Sequence, residues 1–180
     1  MNVLFQIIDS LTKEESRYYK LFAGRTNNNT KRKDIQLFDF IKKNGENYNE
    51  SKISNLLYGE NKNSFYQLKN RVFKDLNKSM MMQHMPKEKD IFILHFVLLS
   101  RVYVRKGDVQ LSFYYLQKAE KEALKLESYQ LLDIIYSEIL ELSYDMVSIN
   151  VEDYIQKQRE NKLKRDQIQE IDLVIAAVRY

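Results

Sequence analysis

Apolar residues recur along this chain at three- and four-residue intervals, broken by short polar or glycine-containing gaps, a pattern that predicts helices and nothing else. A short apolar start, Val3 to Ile8, leads to Thr12-Lys13-Glu14-Glu15, which has the spacing of a capping box. The helix it opens runs through Tyr18, Tyr19, Leu21 and Phe22 and is expected to stop at Gly24, with Leu11 placed to staple its start. The polar, basic tract RTNNNTKRK, residues 25–33, has no periodicity and reads as a flexible loop. Asp34 is expected to cap a helix over Ile35, Leu37, Phe38, Phe40 and Ile41 that finishes in Lys42-Lys43-Asn44-Gly45. Ser51 opens a brief helix through Ile53, Leu56 and Leu57, ended by Gly59. Asn61 or Asn63 caps a longer one over Phe65, Leu68, Val72, Phe73, Leu76 and Met80.

The only proline, Pro86, meets a charged KEKD run, which puts a domain boundary near 86–89. The expected division is a small N-terminal helical domain over 1–85 and a second over 90–180. In the second, helices are expected at 90–105, 109–127, 129–147, 151–163 and 166–179. Two-helix units of roughly 35–40 residues are the signature of an α-solenoid.

Residues 96–119, FVLLSRVYVRKGDVQLSFYYLQKA, read as two amphipathic helices folded back around Lys106-Gly107-Asp108. Small Ser100, Ser112 and Ala119 would let the pair approach closely, while Phe96, Tyr103 and Leu116 fill the gap between them. With Leu99 and Gly107, these positions resemble a tetratricopeptide repeat, one repeat deep. Two departures stand out: Leu124 occupies the place of the repeat's terminal proline, and the following pair, 129–163, matches only loosely. The resemblance implies a tetratricopeptide-like (TPR-like) α-solenoid. In such arrays one side of the first helix lines a concave groove, so Leu94, Leu98, Arg101 and Arg105 are the partner-binding candidates it implies. The apolar, uncapped finish DLVIAAVRY predicts a chain that continues, or an end that a partner covers. SLTKEESRYYKLFAG and LFDFIKKNG also resemble a group of bacterial proteins, typical of Bacteroidetes, that join an N-terminal helical or winged-helix-like region to such repeats.

Composition narrows the function. The 180 residues hold one proline, four glycines and no cysteine, which excludes disulfides, thiolate metal sites and a cysteine nucleophile. No basic leader precedes the first apolar run, which Asp9 cuts, and no stretch reaches a membrane span, so the expectation is a cytoplasmic protein. Each glycine sits at an expected helix end, so none builds a phosphate-cradling loop, and no nucleophile elbow or zinc-binding His-Glu pair is present. His84 and His95, the only histidines, lack a second ligand at metal spacing, and the pairs Glu14/Glu15, Glu120/Glu122 and Glu152/Asp153 read as solvated helix charges. We therefore expect no enzyme, no cofactor, no metal and no small-molecule substrate.

Charge is unevenly shared. Residues 1–85 carry 15 Lys+Arg against 9 Asp+Glu, a net +6, while 86–180 carry 14 against 16, a net −2. With Phe65 at zero and about 100° per residue, Leu68, Val72, Phe73 and Leu76 share one face of the 63–80 helix. Gln67, Asn70, Arg71, Lys74, Asn77 and Lys78 share the other. Amides and arginine can read base edges and lysines can meet phosphates, so this face is a nucleic-acid candidate, in a domain open to a helix-turn-helix arrangement. A solvated helix face has the same composition. Arg101 and Arg105, one turn apart, could clamp an acidic group of a peptide, or could pair with carboxylates of the next helix. The leading expectation is a non-enzymatic protein-interaction scaffold or adaptor; the alternative is a nucleic-acid-binding regulator with the solenoid as sensor or dimerisation module.

Overall fold

The computed structural model describes residues 3–25 and 32–179, and all regular structure among them is helical. Most of the expected loop, including Lys31, lies outside the described residues. The chain separates into two compact units, Met1–His84 and Met85–Tyr180.

The N-terminal unit contains α1 (Val3–Ser10), α2 (Lys13–Arg25), α3 (Lys33–Asn44), a 3-10 turn (Gly45–Asn47), α4 (Glu50–Tyr58) and α5 (Lys62–His84). Helices α2, α3 and α4 all pack against α5, and α1 packs against α3. Their apolar stripes meet in one core around Ile8, Tyr19, Phe38, Ile53, Phe65 and Val72. Phe38 lies against Tyr19 with ring centroids 4.8 Å apart.

The capping box forms: the Thr12 amide donates to Glu15 Oε2 at 2.7 Å, and the Glu15 amide donates to Thr12 Oγ1 at 3.2 Å. Oε1 of the same carboxylate meets His84 Nε2 at 2.8 Å, so the start of α2 is tied to the end of α5. The Thr12 amide, ahead of the opposing effect of burial, and then His84 hold the Glu15 carboxyl below its ordinary range. His84 is therefore a structural partner, which its spacing alone did not reveal.

Other ends depart from the sequence pattern in detail. Helix α2 runs through Gly24 to Arg25, because Gly24 has no positive φ and does not act as a cap. Asn49, not Ser51, caps α4, its Oδ1 accepting from the Lys52 amide at 3.0 Å. Asn61 caps α5 by accepting from Ser64 at 3.0 Å, and that helix continues four residues past Met80 because nothing before His84 breaks it. Two lysines close other helices. Lys42 Nζ donates to the carbonyls of Ile8, Asp9 and Leu11 at 2.7–3.0 Å, satisfying the end of α1. Lys33 Nζ donates to the Leu57 carbonyl at 2.6 Å and sits 3.6 Å over the Tyr58 ring.

Asp34 does not cap α3. Arg32 stands at the N-cap, and Asp34 is buried in the first turn, where it accepts from the Ile35 amide at 2.9 Å and from Arg32 Nε at 3.1 Å.

The C-terminal unit contains α6 (Lys89–Arg105), α7 (Val109–Lys125), α8 (Tyr129–Leu142) and α9 (Val151–Val178), each packed on the next. The expected α6–α7 interface forms: Ser100 and Ser112 hydroxyls bond each other at 2.8 Å in a buried position, and Ala119 and Leu116 are buried beside them. Tyr115 stacks on Tyr103 at 5.4 Å and on Phe96 at 6.1 Å.

Two of the connections are built alike. After α6, Asp108 N–H reaches the Tyr103 carbonyl and Gly107 N–H reaches Val104, with Gly107 at φ 77°. After α7, Ser128 N–H reaches Ala123 and Glu127 N–H reaches Leu124, with Glu127 at φ 50°. Both are Schellman turns, but the second places a glutamate where glycine costs nothing. A left-handed L-residue costs about 1–2 kcal/mol, more than the entropy of about 0.5–1 kcal/mol that glycine loses on folding. Glu127→Gly is therefore expected to stabilise this unit by roughly 0.5–1 kcal/mol. A thermal melt checks it, and an unchanged or lowered midpoint would show that Glu127 is not strained.

Three expected boundaries are corrected. Helix α7 stops at Lys125 rather than running to 127, because this Schellman turn closes it. Helix α8 stops at Leu142 rather than 147, where the Ser143 hydroxyl bonds back to the Leu140 carbonyl at 2.6 Å. The helices expected at 151–163 and 166–179 are one helix of 28 residues, because the KLKRD stretch between them contains no glycine or proline and polarity alone does not end a helix. Asn161 is its last buried residue. Beyond it Ile168, Ile171, Val174 and Val178 are exposed.

Glu120 is also not the solvated charge its sequence suggests. It is buried, accepts from Tyr154 Oη at 3.2 Å and meets Lys157 Nζ at 3.3 Å, linking α7 to α9. Burial first, and then the Glu120 charge, push the Tyr154 phenol up to about 12.

Candidate partner-binding groove

Helices α6 and α8 flank α7, and between them lies a groove of about 680 Å³. Its floor is made by the buried Ser100, Ser112 and Leu116, the small and apolar residues that let α6 and α7 close. Arg101, Val104 and Arg105 of α6 form one wall. Asp133, Ile134, Ser137, Glu138 and Glu141 of α8 form the other, with Asp145 just past its end.

The charges along it are partly spent. Arg101 Nε and Nη2 donate to Glu138 Oε1 at 2.8 and 2.6 Å across the groove. Those hydrogen bonds, then the charges of Glu138 and Glu141, raise the Arg101 guanidinium above its ordinary value. Arg165 of α9 holds Asp133. Among the described residues Arg105, Glu141 and Asp145 have no ion-pair partner.

Of the four residues singled out on α6, the structure brings Arg101 and Arg105 to the groove and leaves Leu94 and Leu98 outside it, both exposed on the same helix. The alternative to a clamp, both arginines paired with carboxylates of the next helix, is met only in part: Arg101 pairs with Glu138, but on α8 rather than on the next helix, α7, and Arg105 takes no such partner. The carboxylate wall of α8 was not foreseen. Its signal, Asp133, Glu138 and Glu141 spaced at 5 and 3 residues, becomes visible only once α8 is known to face α6.

On α5 the residues Gln67, Asn70, Arg71, Lys74 and Lys78 are all exposed, opposite the buried Phe65, Leu68, Val72 and Leu76. Phe73, expected on the buried face, is 36 % exposed. Arg32 and Lys33, the described cations of the expected basic loop, are engaged with Asp34 and with the Leu57 carbonyl. A further hollow of about 790 Å³ in this unit is lined by Lys13, Arg17, Lys20 and Lys42 beside Leu11 and Leu21. Two of these cations are committed, Lys20 to Asp39 at 2.6 Å and Lys42 to the end of α1.

Among the described residues no group of three or more His, Asp or Glu side chains could hold a metal ion, and no helix is long and apolar enough to cross a membrane. Compared with known proteins, the chain matches no family model, no curated protein and no solved structure.

Proposed function

We propose that this chain is a non-enzymatic protein-interaction scaffold or adaptor, whose C-terminal unit is a tetratricopeptide-like stack that takes a peptide or helix of a partner in the α6–α8 groove. The observation that carries the reading is the groove itself: a concave surface between alternate helices, floored by the serines and leucine of the repeat pattern and lined by unpaired charge beside exposed Val104 and Ile134. A stack of two-helix units presents such a surface because alternate helices share one side. Selection of phage-displayed peptides on the protein tests it, with Val104→Arg/Ile134→Arg as the counter-target. Both positions are exposed, so the double variant is expected to fold. The reading expects peptides that the native protein retains and the variant releases; peptides that bind both equally would sink it.

A second reading is favoured by one observation, the continuous exposed stripe of Gln67, Asn70, Arg71, Lys74 and Lys78 on α5. In this reading the N-terminal unit contacts nucleic acid through that helix, entered by the short α4–α5 turn, and the C-terminal unit acts as sensor or dimerisation module. Titration with mixed-sequence duplex DNA at two salt concentrations tests it. Binding that weakens steeply with salt and falls in Arg71→Glu/Lys74→Glu supports it, and no binding at low salt removes it.

A further inference from the structure

We propose that the segment taken by the α6–α8 groove is basic, with an apolar side chain on Val104 and Ile134 and a lysine or arginine that reaches Glu141 and Asp145. This deepens the groove reading and rests on it.

Charge along the groove sets the sign. Four carboxylates, Asp133, Glu138, Glu141 and Asp145, face two guanidiniums, Arg101 and Arg105. Arg101 neutralises Glu138 and Arg165 neutralises Asp133, which leaves two carboxylates against Arg105 alone. An acidic ligand would find Arg105 as the one unpaired guanidinium of the lining and would have to lie beside Glu141 and Asp145 to reach it. A cationic one meets unpaired acceptors at once.

The place of those carboxylates on α8 argues the same way. Glu141 stands in the last turn of that helix and Asp145 just past it, at the end where the backbone carbonyls already concentrate negative charge. Cations normally occupy that position, yet the last turn of α8 contains none. Two carboxylates and a helix C-terminus without a counter-charge are unfavourable in the free protein, and an incoming ammonium or guanidinium would relieve that while donating charge-assisted hydrogen bonds. Val104 and Ile134, both exposed on the facing walls, supply the apolar contact beside it.

The test uses two fluorescein-labelled peptides of about 15 residues, one of leucine and lysine and one of leucine and glutamate in the same order, titrated by anisotropy against the full chain. The leucine–lysine peptide is expected to bind the native protein, Glu141→Gln/Asp145→Asn to weaken it about tenfold or more, and Arg105→Gln, which removes an opposing cation from the wall, to tighten it. Because both exchanged side chains are exposed and sit badly on the helix dipole, the double variant is expected to melt no lower than the native chain.

A leucine–lysine peptide that binds native and double variant alike overturns the proposal. If the leucine–glutamate peptide binds instead and loses affinity in Arg105→Gln, the groove reading survives and the basic-segment proposal falls. If neither peptide binds, the proposal falls, and the counter-selected peptides then decide whether the groove reading falls with it.

Discussion

Replacing Asp34 with alanine is expected to destabilise the N-terminal unit by about 3–5 kcal/mol, because it removes the carboxylate paired with the Arg32 guanidinium in a mostly buried position. The guanidinium also donates to the Ala23 carbonyl, so the lost pair loosens the contact between the end of α2 and the start of α3. Burial alone pushes the Asp34 carboxyl up, but the hydrogen bonds from Arg32 and the Ile35 amide, and the charges of Arg32 and Arg71, bring it below the ordinary range. A carboxyl whose folded value is depressed contributes fully above its unfolded pKa of about 3.9 and loses that contribution as pH falls through the folded value. The native unit should therefore lose stability through acid pH, and Asp34→Ala should lose less over the same window. Chemical denaturation at pH 7 and in a descending acid series measures both effects. A loss under about 1 kcal/mol at pH 7 would show that the pair is an exposed ion pair in effect.

Leu116→Ala is the second large effect, about 2–5 kcal/mol in the C-terminal unit. Leu116 is 1 % exposed, and it belongs at once to the apolar core and to the floor of the groove. Truncation removes packing against α6 and α8 and hollows the surface on which a partner would rest. Leu116→Met keeps the volume and should cost less than about 1.5 kcal/mol. Equal losses from the two replacements would contradict a tightly packed floor.

Much of the fold was legible because helices obey local rules. The capping box at Thr12 and Glu15 and the glycine finishes at Gly45, Gly59 and Gly107 are each set within one or two turns of chain, and the small–large spacing of Ser100, Ser112 and Leu116 within a single helix hairpin. Errors came where a rule needed a partner distant in sequence. Glu120 reads as surface charge until Tyr154 and Lys157 are seen around it, whereas Asp34 reads as a helix cap although Arg32, two residues before it, holds it in an ion pair within the first turn. Lys42 reads as a helix finish, yet its ammonium closes α1, more than thirty residues away. The polar stretch KLKRD reads as an end that divides α9 in two, although it holds no residue that ends a helix.

Only part of the groove could be read in advance. Arg101 and Arg105 stand out as charges on an apolar helix, so their helix pointed to the right wall. Their chemistry depends on α8, whose carboxylates oppose them from residues 28 to 40 positions later, a separation that no periodicity reports. Leu94 and Leu98 lie on the same helix but outside the concavity, ahead of the stretch from Ser100 to Arg105 that lines it.

The most direct test of the groove as the binding surface is an amide NMR titration of isotope-labelled protein with a peptide recovered from the counter-selection. The account predicts that the largest shifts fall on Val104, Arg105, Ile134 and Glu141. Shifts concentrated instead on α5, or on the exposed Leu94 and Leu98 face of α6, would contradict it.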